Sequence, residues 1–397
     1  MTKIIRTLIK LSLYFFPLLL SAEETLDSSI NSFAFHFYQE TLSSSNKNEL
    51  FSPFCLFHGI SMAYIGSQGE TEKEIKKALY LDLPQKECAK VLNTLSHSLL
   101  PSTLEKPFVL NIASSLWINK NTSILPSYQD LIQIDLEAHV ESLSFSDGAL
   151  SAAIINHWVK EQTRNTIQKL LSPQDILKKA QLMLVSTIYF KGSWAKPFNK
   201  RLTEKAPFYT NQNSNIYKIT SMMHQTGSFP YYENDEVELL LLPFTGKSQS
   251  DGTLACFFLL PKKSLESLQN LPLAHLISLT QTEKIEVSIP RFTLHPRYDL
   301  VPMLSKIGIH KAFSSAADFS NINGRFDLLI NKAIHEAFFA LDEYGVTASA
   351  ATAIGLGYSC VYNPKKNILF EANRPFLFGI VDLKSNVVLF LGKMIEP

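Results

Sequence analysis

Asp342-Glu343-Tyr344-Gly345-Val346-Thr347-Ala348-Ser349-Ala350-Ala351-Thr352-Ala353 decides how the rest of this chain is read. It follows an apolar run over residues 333–341 that reads as a strand. The charged pair and Gly345 are expected to end that strand, because glycine turns the chain without steric cost. Beyond them come only small or β-compatible residues, with no proline, charge or bulky side chain before Ile354. Such a segment can enter between two strands without clashing with the layers above and below. Taken alone, the run also reads as a flexible linker or a helix end, as Ala/Ser-rich stretches commonly do. The flanking sequence has to choose.

Outward from this segment, short motifs follow one another in a fixed order. Leu50-Phe51-Ser52-Pro53 leads through Gly59-Ile60-Ser61-Met62-Ala63 to Gly66-Ser67-Gln68-Gly69-Glu70-Thr71. Asn156-His157-Trp158-Val159 precedes Tyr189-Phe190-Lys191-Gly192-Ser193-Trp194. Then come Leu242-Pro243-Phe244, Ile289-Pro290-Arg291-Phe292 and Ala317-Asp318-Phe319-Ser320. Ala372-Asn373-Arg374-Pro375-Phe376 and Leu389-Phe390-Leu391-Gly392-Lys393 close the chain. Each motif alone is weak. Their order and spacing from Glu49 to Pro397 resemble the serpin family of serine protease inhibitors almost without interruption. The resemblance implies an α+β fold: a large central β-sheet, further sheets, about eight or nine helices and an exposed reactive-centre loop over residues 343–364.

Composition is compatible with that fold. A chain of 397 residues, 46% hydrophobic with 27 Phe, can bury a large core, and length alone allows two or three domains. No linker-like stretch, charge run or internal repeat divides it, so one domain over residues 23–397 is expected. The 37 basic and 36 acidic residues leave a net charge of +1 without clustering, which gives no footprint for nucleic acid. Lys86, Glu87 and Lys90 stand near where some serpins carry a glycosaminoglycan-binding helix. Two lysines opposed by a glutamate give no reason to expect a heparin-type cofactor.

Residues 1–22 read as a signal peptide. Lys3, Arg6 and Lys10 give a positive start, residues 11–20 an apolar core, and Ser21-Ala22 a small-residue cleavage site. The apolar stretch is short for a membrane span, so secretion is expected, with an uncleaved anchor as the alternative and no membrane attachment after cleavage. The four Cys impose no disulfide framework. Cys55 and Cys256 read as core residues, Cys88 lies in a polar helical stretch, and Cys360 is either a reactive thiol or a bystander in the loop. Asn121-Thr122-Ser123 is a glycosylation sequon, relevant only on a eukaryotic secretory route.

Apolar residues three and four apart give helices around residues 30–38 and 154–159, the second behind a Ser146 or Asp147 cap. Strand-like runs cover residues 109–117, 182–190, 237–242, 254–260, 285–289 and 387–391. The runs 182–190 and 333–341 are assigned to the central sheet, flanking a gap that the loop can enter. Motifs for turnover chemistry are missing. Gly357-Tyr358-Ser359 lacks the closing glycine of a nucleophile elbow, and His335-Glu336 has no second histidine at zinc spacing. No catalytic residue, metal or cofactor is expected, and the chain reads as a protein that acts on an enzyme.

What the resemblance implies is a suicide substrate. A serine protease attacks one loop bond and is acylated, and the freed segment inserts into the sheet as a new strand, the kind of strand addition for which this family is the standing example. The partner is then the target protease, held covalently by a monomeric inhibitor. Glu343, Gly345, Ala348, Ser349, Ala350 and Ala351 match the inhibitory hinge pattern, and Thr352 continues it. Val346 stands in place of the usual Thr or Ser and Thr347 in place of the usual Glu; both are β-branched and uncharged, so both suit a strand. Non-inhibitory relatives with a binding or chaperone role tend to carry charged or bulky hinge residues, and this chain has none.

Counted from Glu343, the seventeenth residue of the pattern is Ser359, giving Ser359-Cys360 as the reactive bond. Tyr358-Ser359 is the runner-up, and a cut at Lys365 or Lys366 is third. Ser359 suits an elastase-like pocket and Tyr358 a chymotrypsin-like one; Tyr358 ahead of Ser359 also suits a papain-like cysteine protease. The family further keeps a polar cluster beneath the opening sheet. Ser52 and His335 are present here, whereas Cys55 stands for a second Ser and Ser186 for an Asn. Trp194 marks where the loop would first enter. Mass spectrometry of the peptide released by a target protease should show Cys360 at its start. A peptide beginning at Ser359 would move the bond to Tyr358, and one beginning at Lys366 or Asn367 would overturn both.

Overall fold

Pro53–Gly66 forms a helix, α2, in which every residue is buried. A helix that is apolar all round has no face to give to solvent, and this one runs between two sheets, packing on strands of both. Ser52 caps it: its Oγ accepts the Cys55 N–H at 3.1 Å, and Pro53 takes the first position, where a missing N–H costs nothing. The computed structural model describes residues 22–100, 108–210, 216–246, 254–268, 272–347 and 367–397. Among these, α1 (Ala22–Thr41), α2, α3 (Gly69–Ala78), α4 (Gln85–Ser98), α5 (Pro126–Asp130) and α6 (Gly148–Gln162) fill the first half. The shorter α7 (Leu273–Ser278), α8 (Leu300–Lys306) and α9 (Ser320–Asn323) are spread among the later strands. Asp147 caps α6, accepting from Ala149 and Leu150 N–H at 3.0 Å.

Among the described residues one sheet has nine strands, ordered β1 (Glu49–Phe51), β17 (Val388–Met394), β16 (Phe376–Asp382), β8 (Leu254–Pro261), β7 (Val237–Pro243), β6 (Tyr217–Glu233), β9 (Gln281–Pro290) and β15 (Ile368–Glu371), with β5 (Glu204–Tyr209) on β6. The other has eight described strands. Its order is β10 (Phe292–Leu294), β13 (Phe339–Asp342), β14 (Gly345–Val346), β4 (Leu182–Ser193), β12 (Ile330–Ala337) and β11 (Arg297–Asp299), while β2 (Phe108–Asn119) and β3 (His139–Leu143) extend it beyond β4. Among the described residues no helix is long and apolar enough to cross a membrane. The expected signal segment lies outside the described residues except for Ala22, where α1 begins.

Two expectations about the eight-stranded sheet need correction. The apolar run 333–341 is not one strand: β12 ends at Ala337, Phe338 interrupts, and β13 begins at Phe339. The break is where the chain changes partners, leaving β4 and β11 for β10 and β14. Nor do β4 and β12 flank a gap along their length. They pair directly and in parallel, from Ile330 on Leu182 to Ala337 on Ile188. They part only beyond that point, where β14 lies between β13 and the end of β4.

Candidate functional site

The hinge does not begin outside the sheet, as the resemblance implied. β13 turns through Glu343 and Tyr344 into β14, so Gly345 and Val346 form a strand antiparallel to both neighbours. Val346 faces Leu341 on one side and Gly192 on the other, and is fully buried. An apolar side chain gains by this burial what it would lose in an exposed loop. The Asp342 carboxylate stabilises the turn, accepting from Tyr344 N–H at 2.8 Å and Gly345 N–H at 3.2 Å, an Asx turn of the ordinary kind. Gly345 cannot be replaced, because a Cβ there would lie 2.0 Å from the Gly192 carbonyl oxygen.

Beyond Val346 the chain leaves the sheet. Thr347 donates its N–H to Ala340 O at 2.6 Å, yet its φ of 52° is left-handed, and its buried Oγ1 has no partner. For a β-branched residue such backbone carries a cost of order 1–3 kcal/mol. Ala348, Ser349, Ala350, Ala351, Thr352, Tyr358, Ser359 and Cys360 lie outside the described residues.

The turn is held from three directions. Trp194 donates its indole N–H to Asp342 O and its backbone N–H to Tyr344 O, both at 2.9 Å, and stacks on Phe244 at 4.9 Å. Phe198 N–H donates to Glu343 O at 2.9 Å. The buried Glu343 carboxylate accepts Thr203 Oγ1–H at 2.8 Å and faces Arg291 at 3.9 Å. Sequence reasoning placed Trp194 here but missed Thr203, Phe198, Phe244 and Arg291. The Asp342-x-x-Gly345 spacing signals the turn; nothing local signals its props.

Ser52, Cys55, Ser186 and His335 do come together, further down the sheet where β4 and β12 are paired. His335 Nε2 accepts Ser52 N–H at 3.0 Å, so the proton sits on Nδ1, which donates to Ser186 O at 3.0 Å. Ser186 Oγ–H donates to Cys55 Sγ at 3.4 Å, and the Cys55 thiol donates to Thr187 O at 3.0 Å. Ser52 Oγ–H closes the chain on Leu389 O at 2.6 Å. Burial pushes the thiol up to about 11, keeping it a neutral donor. Burial also drives the His335 imidazole down to about 4. Protonation would oppose Nε2–H to the Ser52 N–H, two donors with no acceptor. The cluster and the hinge are separate stations on β4, with Ser186 and Gly192 about 20 Å apart along the strand.

The serpin (serine protease inhibitor) family model matches residues 28–397. Leukocyte elastase inhibitor of Sus scrofa is 32% identical, over 94% of this chain and 100% of its own. An uncharacterized serpin-like protein of Thermococcus kodakarensis is also 32% identical, over 94% of this chain and 86% of its own. Human thyroxine-binding globulin superposes with a TM-score of 0.83 at 26% identity, covering 95% of this chain and 100% of that one.

Two measurements probe these stations. His335 and the buried His58 both titrate near 4 in the folded chain, against an ordinary value of 6.5. The unfolded chain therefore takes up protons first: their contribution to stability is complete above about pH 6.5 and is lost as pH falls towards 4. Each should add up to about 1.4 kcal/mol per pH unit to the slope. Denaturant unfolding of His335→Gln between pH 4.5 and 7 should show about one proton less uptake than wild type; an unchanged slope would mean that His335 does not titrate so. At the hinge, Val346→Glu should drive β14 out of the sheet, since a buried unpaired carboxylate costs more than two ladder bonds. Trp194 emission should then shift to the red, whereas Val346→Thr should leave it in place.

Proposed function

The chain belongs to the serpin family, and we propose that it is an inhibitory member. It would be an exported, monomeric suicide substrate trapping an elastase- or chymotrypsin-like serine protease, with papain-like cysteine proteases as a second target class. Serpins are protease inhibitors rather than catalysts, and leukocyte elastase inhibitors are among the relatives. The observation that supports the reading is at the hinge, where Gly345 and Val346 pair with both β13 and β4, the position from which a strand could be extended into the sheet. The residues that follow are small and uncharged through Ala353. Export rests on the reading of residues 1–22.

In this mechanism the protease nucleophile attacks the Ser359 carbonyl, the Ser359–Cys360 bond breaks, and the Cys360 amine leaves with a proton. The acyl bond holds the enzyme while the freed segment continues β14 downward. Insertion must separate β4 from β12, exchanging one parallel ladder for two antiparallel ones, the more stable kind per residue. It also releases Thr347 from its left-handed backbone. Roughly 14 residues at ~3.3 Å each carry the tethered enzyme ~45 Å. Trapping requires this to outrun deacylation.

A carrier role is the second reading. Thyroxine-binding globulin is solved in complex with thyroxine, and this chain holds a cavity of about 660 Å³ between α1, Tyr80, the start of α7 and the turn at Lys384 to Asn386. A protease panel analysed by denaturing electrophoresis separates the two: a shifted covalent band means inhibitor, and clean clipping means a non-trapping relative. For the inhibitor, loop cleavage should raise the melting temperature, whereas most nicked proteins lose stability. Ala350→Arg should abolish both the covalent band and the stability gain, because a desolvated guanidinium would have to enter a closing sheet. A covalent band at the wild-type ratio would sink the insertion mechanism.

A further inference from the structure

Between α6 and β4 the chain runs over residues 163–181, a strap containing one single-turn helix, Pro173–Asp175. Its apolar side chains do not join the main core. Leu170, Leu171 and Ile176 belong to a second buried cluster, which also contains Val185 of β4 and Ile334 of β12. The strap thus shares one cluster with strands on both sides of the β4–β12 pairing. Two sets of bonds tie it down, and they meet on adjacent residues. From α6, Asn156 holds Leu171 twice, donating Nδ2–H to Leu171 O and accepting Leu171 N–H, both at 2.8 Å. From β11, Arg297 donates Nε–H to Leu170 O at 2.8 Å, and its guanidinium pairs with Asp175 at 2.9 Å. The other Asp175 oxygen accepts Ser172 N–H at 2.9 Å and Ser172 Oγ–H at 2.8 Å, which fixes the carboxylate to the strap.

We propose that Arg297 is a positioning residue for strand insertion, fastening the strap to β11 and setting how readily β4 and β12 part. The topology carries the argument. α6 packs on β2 and β4, whereas β11 pairs with β12. The two ties start from opposite sides of the β4–β12 pairing and end on neighbouring residues of one strap. A strand entering between β4 and β12 moves them apart by about one strand spacing, ~4.8 Å. Hydrogen bonds of ordinary length do not survive such a displacement, so one tie must let go. The Arg297 tie is charge-assisted, the stronger kind. Its release, or the loss of the Asn156 pair, is a step that insertion has to pass.

Arg297 has a second charged neighbour. Its partner across the β11–β12 ladder is Glu336, which is buried and pairs with His295 at 2.5 Å. Replacing Arg297 by alanine removes a cation beside that carboxylate as well as the tie. Lysine is therefore the informative companion: it keeps the charge but has no planar fork to span Leu170 O and Asp175. The bearing of the tie on protease trapping rests on the inhibitory reading, whereas the tie itself does not.

The test is hydrogen exchange of the intact chain, read by mass spectrometry. In Arg297→Ala and Arg297→Lys the amides of β12 should exchange at least tenfold faster than in wild type, with those of the β8–β16 ladder in the other sheet unchanged. A merely structural role would raise both together or neither, and either result would overturn the assignment. Should Arg297→Ala fail to fold, Arg297→Lys carries the comparison alone. A synthetic peptide copying residues 346–357, offered as a strand from outside, should anneal at least fivefold faster to Arg297→Lys than to wild type. An unchanged annealing rate would overturn the link to insertion. If β12 exchange rises while neither wild type nor variant forms a covalent band with any protease, the inhibitory reading falls and the tie stands. If wild type traps a protease and β12 exchange does not respond to the variants, the tie falls and the reading stands.

Discussion

The parallel ladder between β4 and β12 is the seam on which the eight-stranded sheet depends. On one side of it lie β2 and β3, on the other β11, with β13 and β10 continuing from the end of β12. Parallel pairing is the weaker kind of ladder, and here it is reinforced from below. His335 and Ser186 are direct partners across it, and Ser52 and Cys55 tie both to the buried helix α2. Every link in that chain has a donor and an acceptor, so it favours one register over any sliding alternative. The thiol at Cys55 is a poorer hydrogen-bonding group than a hydroxyl, and the larger sulfur sets its contact with Ser186 at 3.4 Å. This chain closes its seam with a softer link than a serine would provide.

The neutral state of His335 follows from the same geometry. Its two ring nitrogens meet one donor and one acceptor in fixed places, which assigns the tautomer and leaves no position for a second proton. Burial then sets how strongly that proton is refused. The protonation of this single side chain and the stability of the seam it bridges are thus linked.

Much of this was legible in the sequence, because the elements concerned are specified locally. The helices around residues 30–38 and 154–159, the Asp147 cap of α6 and the apolar strand runs need only their own residues. The Ser52, Cys55, Ser186 and His335 grouping was legible only through the family resemblance, since its members come from α2, β4 and β12 and its cap. What failed was whatever depends on a neighbour. The run 333–341 is continuously apolar, and only its change of partners breaks it at Phe338. Gly345 reads as a turn glycine, yet its constraint is the close approach of Gly192 from another strand. Lys393 ends the last motif, and nothing near it in sequence shows that it is buried, donating to the carbonyls of Leu42 and Ser43 just past α1. A pattern of residue types cannot see contacts across hundreds of positions.

The two-residue strand at Gly345 and Val346 changes what kind of process sheet completion is. Adding a strand from a free loop has two parts: a costly first registration, when several dihedrals are fixed for one or two hydrogen bonds, and an easier propagation thereafter. Here the registration is already present in the resting molecule, closed by a two-residue turn rather than by a long loop. In the proposed mechanism, completion would then be elongation from an existing end. Its rate would be governed by how readily the seam ahead of Thr347 parts and not by the search for a register, and its direction would be fixed before any bond in the loop is cut.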